Sequence, residues 1–331
     1  MSYPLQDTYF KEKMKIRNAL FIAVLIAISA CQQAPKPAAS FSFAFLTDIH
    51  IQHERNADKG LLMAIDTINQ LHPDFVLTGG DNIMDALGQS YERSMEQYQL
   101  YQSTMENLDV PYYNTMGNHE LFGVYEKSGV DTTHEEYGKK MYEDLLAQRY
   151  YSFNHKNWHF IVLDGIGMTN DRHYYGFVDS TQIDWLKKDL ETNKDLNTIV
   201  SIHIPLLSVG EQVMNSPTAA FNEASVVTNA NEVRQLLEQY KVKAVLQGHL
   251  HFLEDICYNG IHYITGGAVS SNWWKGTRFG MEEGFLLLKI TGNKIDWNYI
   301  DYGWDAEKGN ELKTDTLSNK KPKLKTSAVH S

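Results

Sequence analysis

The first part of the chain repeats one arrangement three times: an apolar strand, a short polar loop, and a helix or its beginning. Strands are predicted at 41–46, 74–78 and 112–116, and helices at 58–71 and 90–108. Alternating strands and helices predict parallel strands joined by right-handed crossovers. Ligands bind such sheets at the carboxyl ends of the strands. The order of elements therefore predicts an α/β fold with a site at one sheet edge.

Two later strands end in histidine. His203 follows one of them, and Gly248-His249-Leu250-His251 follows the other. Residues two positions apart in extended backbone point to the same side, so the paired imidazoles can be offered to one place. Alone, such a pair is weak support for a metal site. Its meaning depends on what the other strand ends carry.

Side chains of metal-ligand type collect at five predicted strand ends. They are Asp48, His50, Asp81, Asn118, His119, His203, His249 and His251. Taken singly, each has an ordinary explanation, since an aspartate can cap a helix, an asparagine can form a turn and a histidine can be a core residue. Those explanations do not predict that all eight converge on one sheet edge. The set indicates a metal site.

The second half of the chain adds further helices and antiparallel strands. Helices are predicted at 133–147, 181–193 and 231–240. Paired strands are predicted at 149–153 with 158–163, within 257–264 around Asn259-Gly260, and at 285–290 with 295–300. Neither an internal repeat nor a clear linker interrupts the pattern. We therefore expect a single domain at 41–303, followed by a polar, flexible tail at 304–331.

Five short motifs together resemble those of the calcineurin-like metallophosphoesterases, in order and in residue type. They are Asp48-x-His50, Gly80-Asp81, Gly117-Asn118-His119-Glu120, the lone His203, and Gly248-His249-x-His251. The resemblance covers roughly 43–268. It implies a four-layer α-β-β-α sandwich of two mixed sheets, with a two-metal active site at the carboxyl ends of the strands.

The resemblance also implies roles for individual residues. Asp81 would bridge two metal ions. Asp48, His50 and His251 would complete the first shell, and Asn118, His203 and His249 the second. Imidazole, carboxylate and amide donors without a thiolate suit two divalent transition-metal ions such as Mn, Fe, Zn or Ni.

The implied reaction is attack of a metal-bound hydroxide on phosphorus, with His119 as the general acid that protonates the leaving oxygen. Asp48 and Glu120 are candidates for orienting the His119 ring. The purple acid phosphatases of this family have glycine and tyrosine where this chain has His50 and Met84. The departure favours the phosphodiesterase branch. An acid-phosphatase-like phosphomonoesterase is the alternative, and a non-catalytic binding lipoprotein on the same fold is a remote one.

Substrate contacts are predicted less sharply. Trp273, Trp274 and Arg278 follow a glycine-rich turn, where aromatic rings beside a cation could stack a base or sugar and hold a second phosphate. His53 is a further candidate for the cleft. Packing of the tryptophans against other side chains in a purely structural role would explain them equally well. The formal net charge of -11 argues against a long nucleic acid and leaves a small phosphate ester as the expected substrate.

The N-terminus resembles a bacterial lipoprotein signal. Basic residues precede an apolar run at 19–28, which ends in Ser29-Ala30-Cys31. The run is shorter than the roughly 20 residues that span a bilayer. We expect a signal peptide at 1–30, lipidation of Cys31, and a tether at 31–40. The mature protein would then be exported and membrane-anchored on the periplasmic or outer face of a bacterial envelope. An ordinary signal peptide or simple anchor, and a start at Met14, stay open.

Overall fold

The computed structural model describes residues 40–306 and 323–325. Its strands are β1 (Ser40–Leu46), β2 (Phe75–Thr78), β3 (Tyr112–Tyr113), β4 (Tyr151–His155), β5 (Trp158–Leu163), β6 (Ile166–Met168), β7 (Tyr174–Gly176), β8 (Asn197–Ile202), β9 (Val242–Gln247), β10 (Leu253–Tyr258), β11 (Ile261–Gly266), β12 (Gly284–Thr291), β13 (Lys294–Asp301) and β14 (Lys323–Lys325). Its helices are α1 (Ala57–Leu71), α2 (Tyr91–Met105), α3 (Lys140–Leu145), α4 (Ser180–Thr192), α5 (Gly210–Met214) and α6 (Ala230–Leu237).

The predicted N-terminal segments fall almost wholly outside the described part of the chain. The signal peptide at 1–30, the lipidation site Cys31 and the tether up to residue 39 lie there, as does most of the predicted tail. Among the helices that the structure describes, none combines the length and the apolar character needed to cross a bilayer.

Two mixed sheets form the centre of the fold. The first has the strand order β14-β13-β12-β1-β2-β3, in which β1, β2 and β3 are parallel and the remaining pairs are antiparallel. The second has the order β10-β11-β9-β8-β5-β4, with a parallel centre and an antiparallel strand at each edge. The parallel strands of each sheet end side by side, which creates the edge that the sequence pattern predicts.

Alternation along β1 explains how the sheets pack. Phe43 points to the second sheet, where its ring lies 5.4 Å from that of Phe160. Phe75 of β2 stacks on Phe43 at 5.0 Å and also meets Phe160. Ala44 and Leu46 point to the opposite face and join a separate core cluster. From Phe43 to Leu46 both faces of the strand are buried, and there its sequence is continuously apolar.

Helices cover the outer face of each sheet. Leu61 of α1 and Tyr98 of α2 pack in the cluster behind the first sheet. Leu186 of α4 and Val233 of α6 pack with Val200 of β8 behind the second. The result is helices, sheet, sheet and helices in four layers. The predicted α-β-β-α sandwich is confirmed.

The structure corrects the predicted elements in three places. The helix expected at 133–147 is restricted to α3, because the Gly138 backbone (φ +72°) pairs with Phe122 through two hydrogen bonds of 2.8 Å instead of continuing a helix. The short hairpin of β6 and β7 was not predicted, since three-residue strands carry too little alternation to detect. Trp304 is buried against Trp274 and β14 pairs with β13, so ordered chain extends past the predicted domain end at residue 303.

Candidate metal centre

Loops that leave β1, β2, β8 and β9 meet at the shared edge of the two sheets. Backbone hydrogen bonds hold these loops together: the Asp48 N–H donates to the Gly80 carbonyl at 3.0 Å, and the His50 N–H donates to the Asp81 carbonyl at 2.9 Å. The Gly248 N–H, in the loop after β9, donates to the His203 carbonyl in the loop after β8, at 2.9 Å. Each strand thus delivers its polar residues to one place.

A first group of ligand atoms comes from Asp48, His50 and His251. The Nε2 atoms of the two imidazoles face each other at 2.9 Å, and the His251 Nε2 lies 3.3 Å from the Asp48 Oδ1. The Nδ1–H of His251 donates to the Ser271 carbonyl at 2.5 Å. That bond places the proton of a neutral ring on Nδ1 and leaves the Nε2 lone pair for a cation.

A second group comes from Asp81, His203 and His249. The Nδ1–H of His203 donates to the Gly79 carbonyl at 2.7 Å, and its Nε2 faces the Asp81 Oδ2 at 3.1 Å. The backbone N–H of His249 donates to both oxygens of Asp48 at 3.0 Å. This bond ties the second group to a carboxylate of the first.

Asp81, a member of the second group, also faces the first. Its Oδ2 is 3.1 Å from the Nε2 of His203 and 3.7 Å from the Nε2 of His50, which belong to different groups. Its Oδ1 instead accepts the His119 backbone N–H at 2.9 Å. A single carboxylate oxygen within reach of both imidazoles is the arrangement that two neighbouring cations would share.

Burial makes this cluster costly without a cation. Within the described residues, the buried His203 Nε2, His249 Nδ1, His50 Nδ1 and Asn118 Oδ1 have no hydrogen-bond partner. An unsatisfied buried polar atom costs about 1–3 kcal/mol. These unpaired donor atoms, their buried setting and the central carboxylate therefore fit divalent metal ions.

The electrostatics agree with that fit. Burial lowers the pKa of His249 to about 4, so the ring is neutral and able to ligate at neutral pH. Burial opposes a charged His203, but the Asp81 carboxylate outweighs it and raises the pKa of His203 to about 9. Burial likewise opposes an ionised Asp81, yet His203 and His119 hold its pKa well below the usual range. Both findings describe a carboxylate that draws positive charge.

Backbone strain is concentrated at the ligands. Asp48, His50, Asp81, His249 and His251 all have positive φ angles, between 48° and 71°. Such left-handed conformations cost about 1–3 kcal/mol each outside glycine and persist only where surrounding bonds impose them. The strain turns each side chain inward from the end of its strand.

Close packing explains two of the glycines in the motifs. A Cβ on Gly117 would lie 2.1 Å from the Asp81 backbone nitrogen, and one on Gly248 would lie 2.0 Å from the Thr47 Oγ1. The Thr47 hydroxyl donates to the Asp48 carboxylate at 2.7 Å. The sequence pattern did not single out Thr47, because a threonine at a strand end carries no signal of its own.

His119 is oriented differently from the sequence-based prediction. Its Nδ1–H donates to the Met84 carbonyl, and its Nε2 lies 3.8 Å from the Asp81 Oδ2. Its side chain is 22% exposed, whereas His50 and Asp48 are fully buried. The prediction that Asp48 or Glu120 orients this ring is wrong, because a backbone carbonyl occupies that position. A carbonyl acceptor has no side-chain signature in a sequence.

Glu120 has a structural part instead. Its Oε1 accepts the N–H groups of Asn82 at 2.6 Å and Ile83 at 3.1 Å, and its Oε2 accepts those of Gly117 at 2.6 Å and Asp81 at 3.1 Å. Burial, followed by the Asp81 carboxylate, raises the pKa of Glu120 to about 7, although the backbone N–H donors act in the opposite direction. All four N–H groups point at its oxygens, so the ionised form fits. Glu120 joins the loops that follow β2 and β3.

The sequence matches the family of calcineurin-like phosphoesterases over residues 41–253. The chain belongs to this family. It is therefore a metal-dependent phosphoric ester hydrolase, as its motifs predicted, with ligand groups suited to two metal ions.

The chain is similar to several enzymes that act on phosphate esters by name. The chain is 28% identical to a probable cyclic nucleotide phosphodiesterase of Xenorhabdus bovienii, over 78% of this chain and 95% of that protein. It is 26% identical to a 3′,5′-cyclic-nucleotide phosphodiesterase of Nostoc, over 80% and 91%. It is 25% identical to human tartrate-resistant acid phosphatase type 5, over 71% and 78%.

Solved structures share the fold. A dimetal phosphatase from Danio rerio superposes with a TM-score of 0.54 at 14% identity, covering 79% of this chain and 99% of that one. A purple acid phosphatase from yellow lupin gives 0.56 at 17% identity, covering 81% and 53%. These matches agree with the four-layer architecture.

The residues predicted to contact substrate separate into two kinds. Trp274 is 2% exposed, and its Nε1–H donates to the Ile49 and His50 carbonyls at 3.0 Å each, so its prediction as a substrate contact is wrong. The Trp273 ring lies 4.4 Å from the ring of His251, beside the first ligand group. The bulky Trp274 ring serves as a core anchor for the loop that carries its neighbour.

Arg278 and His53 also differ. The Arg278 guanidinium lies over the Trp273 ring at 4.5 Å, which places it close to the metal centre. His53 is exposed at the start of the 3₁₀ turn Glu54–Asn56. The Tyr174 ring, 6.4 Å from that of His249, borders the second ligand group. Arg278 is the cation that the structure brings to the rim of the first group.

Proposed function

We propose that this protein is a phosphodiesterase of small phosphate esters and that 3′,5′-cyclic nucleotides are the first class to test. The arrangement around His119 carries the proposal. An imidazole that is fixed through Nδ1 presents Nε2 beside the shared oxygen of Asp81, between two groups of ligand atoms. The printed names of the two cyclic-nucleotide relatives support the choice of substrate.

The ligand sets proposed for the two ions follow the geometry. Asp48, His50 and His251 would hold one ion, and His203, His249 and Asn118 the other, with Asp81 shared. Bound there, divalent ions would neutralise phosphoryl oxygens and lower the pKa of a water to about 7. The donors suit Mn, Fe, Zn or Ni.

His119 would act as the general acid. A protonated ring keeps one proton in its bond to the Met84 carbonyl and carries the other on Nε2, on the side of Asp81. From there the proton can pass to the leaving oxygen of the ester. Acid catalysis of this kind contributes about 10²–10⁴-fold.

Phosphomonoesters form the alternative class, supported by the similarity to tartrate-resistant acid phosphatase type 5. The deciding experiment strips the protein with a chelator and restores Mn, Zn, Fe or Ni singly. Initial rates are then compared on bis-p-nitrophenyl phosphate, p-nitrophenyl phosphate and 3′,5′-cyclic AMP. A preference for the two diesters supports the proposal, and a preference for the monoester contradicts it. A metal-loaded protein that cleaves none of them would support a binding protein instead.

We also propose that the mature protein is a lipoprotein. The proposal rests on Ser29-Ala30-Cys31 after the apolar run, and on the tether that separates Cys31 from β1. Fractionation and mass spectrometry of the full chain test it. Lipidated protein should be found with membranes, and Cys31→Ser should move it to the soluble fraction without loss of the phosphodiesterase. An unlipidated Cys31 or unchanged fractionation would contradict the anchor.

A further inference from the structure

Arg278 carries a positive charge that pairs with no carboxylate among the described residues. Its guanidinium lies 4.5 Å from the centre of the Trp273 ring and 5.0 Å from that of Phe279. Within the described residues it forms neither an ion pair nor a side-chain hydrogen bond. Other arginines of this acidic chain, such as Arg93 and Arg149, pair with carboxylates. Arg278 is therefore unusual in having only aromatic contacts.

The position of Arg278 is fixed relative to the metal centre. Its backbone N–H donates to the Ser271 Oγ at 3.0 Å, and the Ser271 carbonyl accepts the His251 Nδ1–H. The next anchor along the loop is Trp274, whose indole N–H donates to the His50 carbonyl. The platform on which Arg278 rests, Trp273, lies 4.4 Å from the His251 ring. The guanidinium is thus held one aromatic ring away from the first ligand group.

The guanidinium donors of Arg278 have no partner among the described residues. Its central carbon lies over two rings, and its five N–H donors share one plane, so they can bind an anion in a bidentate manner. Burial lowers the pKa of Arg278, while the Asp48 carboxylate opposes that effect. A partly buried cation without a counter-ion is costly, so an anion that arrives with the substrate would be bound favourably.

We propose that Arg278 binds a second phosphate of the substrate, one that is not the scissile group. This inference rests on the proposed function, because it treats the metal centre as the site of the scissile phosphate. The Trp273 ring separates Arg278 from the first ligand group. The second phosphate would therefore be carried by the organic group that is esterified to the scissile phosphate. The preferred substrates would be nucleotides with two separate phosphate groups, one of them in the diester that is cleaved.

Binding measurements on the full, Mn-loaded chain test the proposal. Isothermal titration compares adenosine 3′,5′-bisphosphate with adenosine 5′-monophosphate, which lacks the second phosphate. The bisphosphate should bind about ten- to a hundredfold more tightly to the wild type, the range for charge-assisted hydrogen bonds. Arg278→Gln should remove this preference, and Arg278→Lys should keep only part of it, because an ammonium lacks the planar fork.

Lys275→Gln is the matched control. It removes one positive charge from the same loop, but Lys275 is exposed, so the preference for the bisphosphate should persist. Equal affinities of the wild type for both ligands would overturn the proposal, as would a preference that survives in Arg278→Gln or disappears in Lys275→Gln. A thermal unfolding midpoint for Arg278→Gln within about 2 °C of the wild type, roughly 1 kcal/mol, shows that the variant is folded.

The same preparations separate this proposal from the proposed function. Hydrolysis of bis-p-nitrophenyl phosphate depends on the metal centre, whereas the binding preference does not require turnover. Binding preference without hydrolysis would refute the phosphodiesterase and leave the anion site. Hydrolysis without a binding preference would refute the anion site alone.

Discussion

Glu120→Gln is the sharpest test of how the two ligand loops are held. The wild-type carboxylate accepts the N–H groups of Asn82 and Ile83 on one oxygen and those of Gly117 and Asp81 on the other. A glutamine offers a single acceptor oxygen and an NH₂ group of nearly the same size. Whichever way the amide turns, two backbone N–H groups face its NH₂ and lose their acceptor.

The magnitude follows from those two lost bonds. A buried N–H without an acceptor costs about 1–3 kcal/mol, so the free energy of unfolding should fall by about 2–6 kcal/mol. For a domain of this size each kcal/mol corresponds to about 2 °C, which gives a decrease in Tm of about 4–12 °C. Metal content should fall as well, because Asp81 and Asn118 lie in the loops that lose their connection.

Circular dichroism melting and elemental analysis measure the two effects. Glu283→Gln is the matched control, because it makes the same chemical change at another buried carboxyl, whose Oε1 has no partner among the described residues. Glu283→Gln should not lower the Tm. An unchanged Tm in Glu120→Gln, with the metals retained, would show that the four N–H contacts do not hold the loops.

Four further outcomes are expected. His119→Ala should lower kcat about 10²–10⁴-fold while the metals stay bound, and loss of the metals would contradict a purely acid role. Asp81→Ala should reduce the metal content at both sites, measured by elemental analysis, whereas loss at one site alone would contradict the shared ligand. Trp274→Phe removes the indole N–H that donates to two carbonyls, so the free energy of unfolding in denaturant should fall by about 1–3 kcal/mol, with unchanged substrate preference. A changed preference would indicate that Trp274 contacts the substrate. Burial raises the pKa of Glu283 to about 7 from 4.5, so its contribution makes the protein less stable as pH rises through that interval. Glu283→Gln should then gain up to about 3 kcal/mol over the wild type at pH 8 and nothing at pH 4, and a pH-independent difference would refute this.

Strand ends were the most informative part of the sequence. The apolar runs before Asp48, Asp81, His203 and His249 are strands. The order of strands and helices predicted an α/β fold with a site at one sheet edge, and the resemblance of the motifs to a known family implied the two-sheet sandwich. Local patterns sufficed because burial on both faces makes a central strand nearly continuous in apolar residues, which is visible in a single sequence. Where a strand or helix was short or interrupted, as at Gly138, tertiary pairing decided the outcome.

The sequence did not indicate contacts that use backbone atoms. Met84 and Ser271 act through their carbonyls, so neither residue type indicates that it orients a histidine. Glu120 was assigned to the wrong partner, since its position in the motif does not show which N–H groups it meets. The sequence pattern does not distinguish the two adjacent tryptophans, but Trp274 is buried and Trp273 lies beside His251.

By itself, the sequence determined the fold class, the family and the residue types at the sheet edge, because these depend on local apolar patterns and on motifs within a few residues. Only the tertiary structure decided which atoms face one another. Loops far apart in the chain, such as those of Asp48 and His249, meet through strained backbone and hydrogen bonds across the sheets. Their distances, burial and unpaired atoms arise from packing of the whole domain, and that packing brings eight polar residues together at the candidate metal centre.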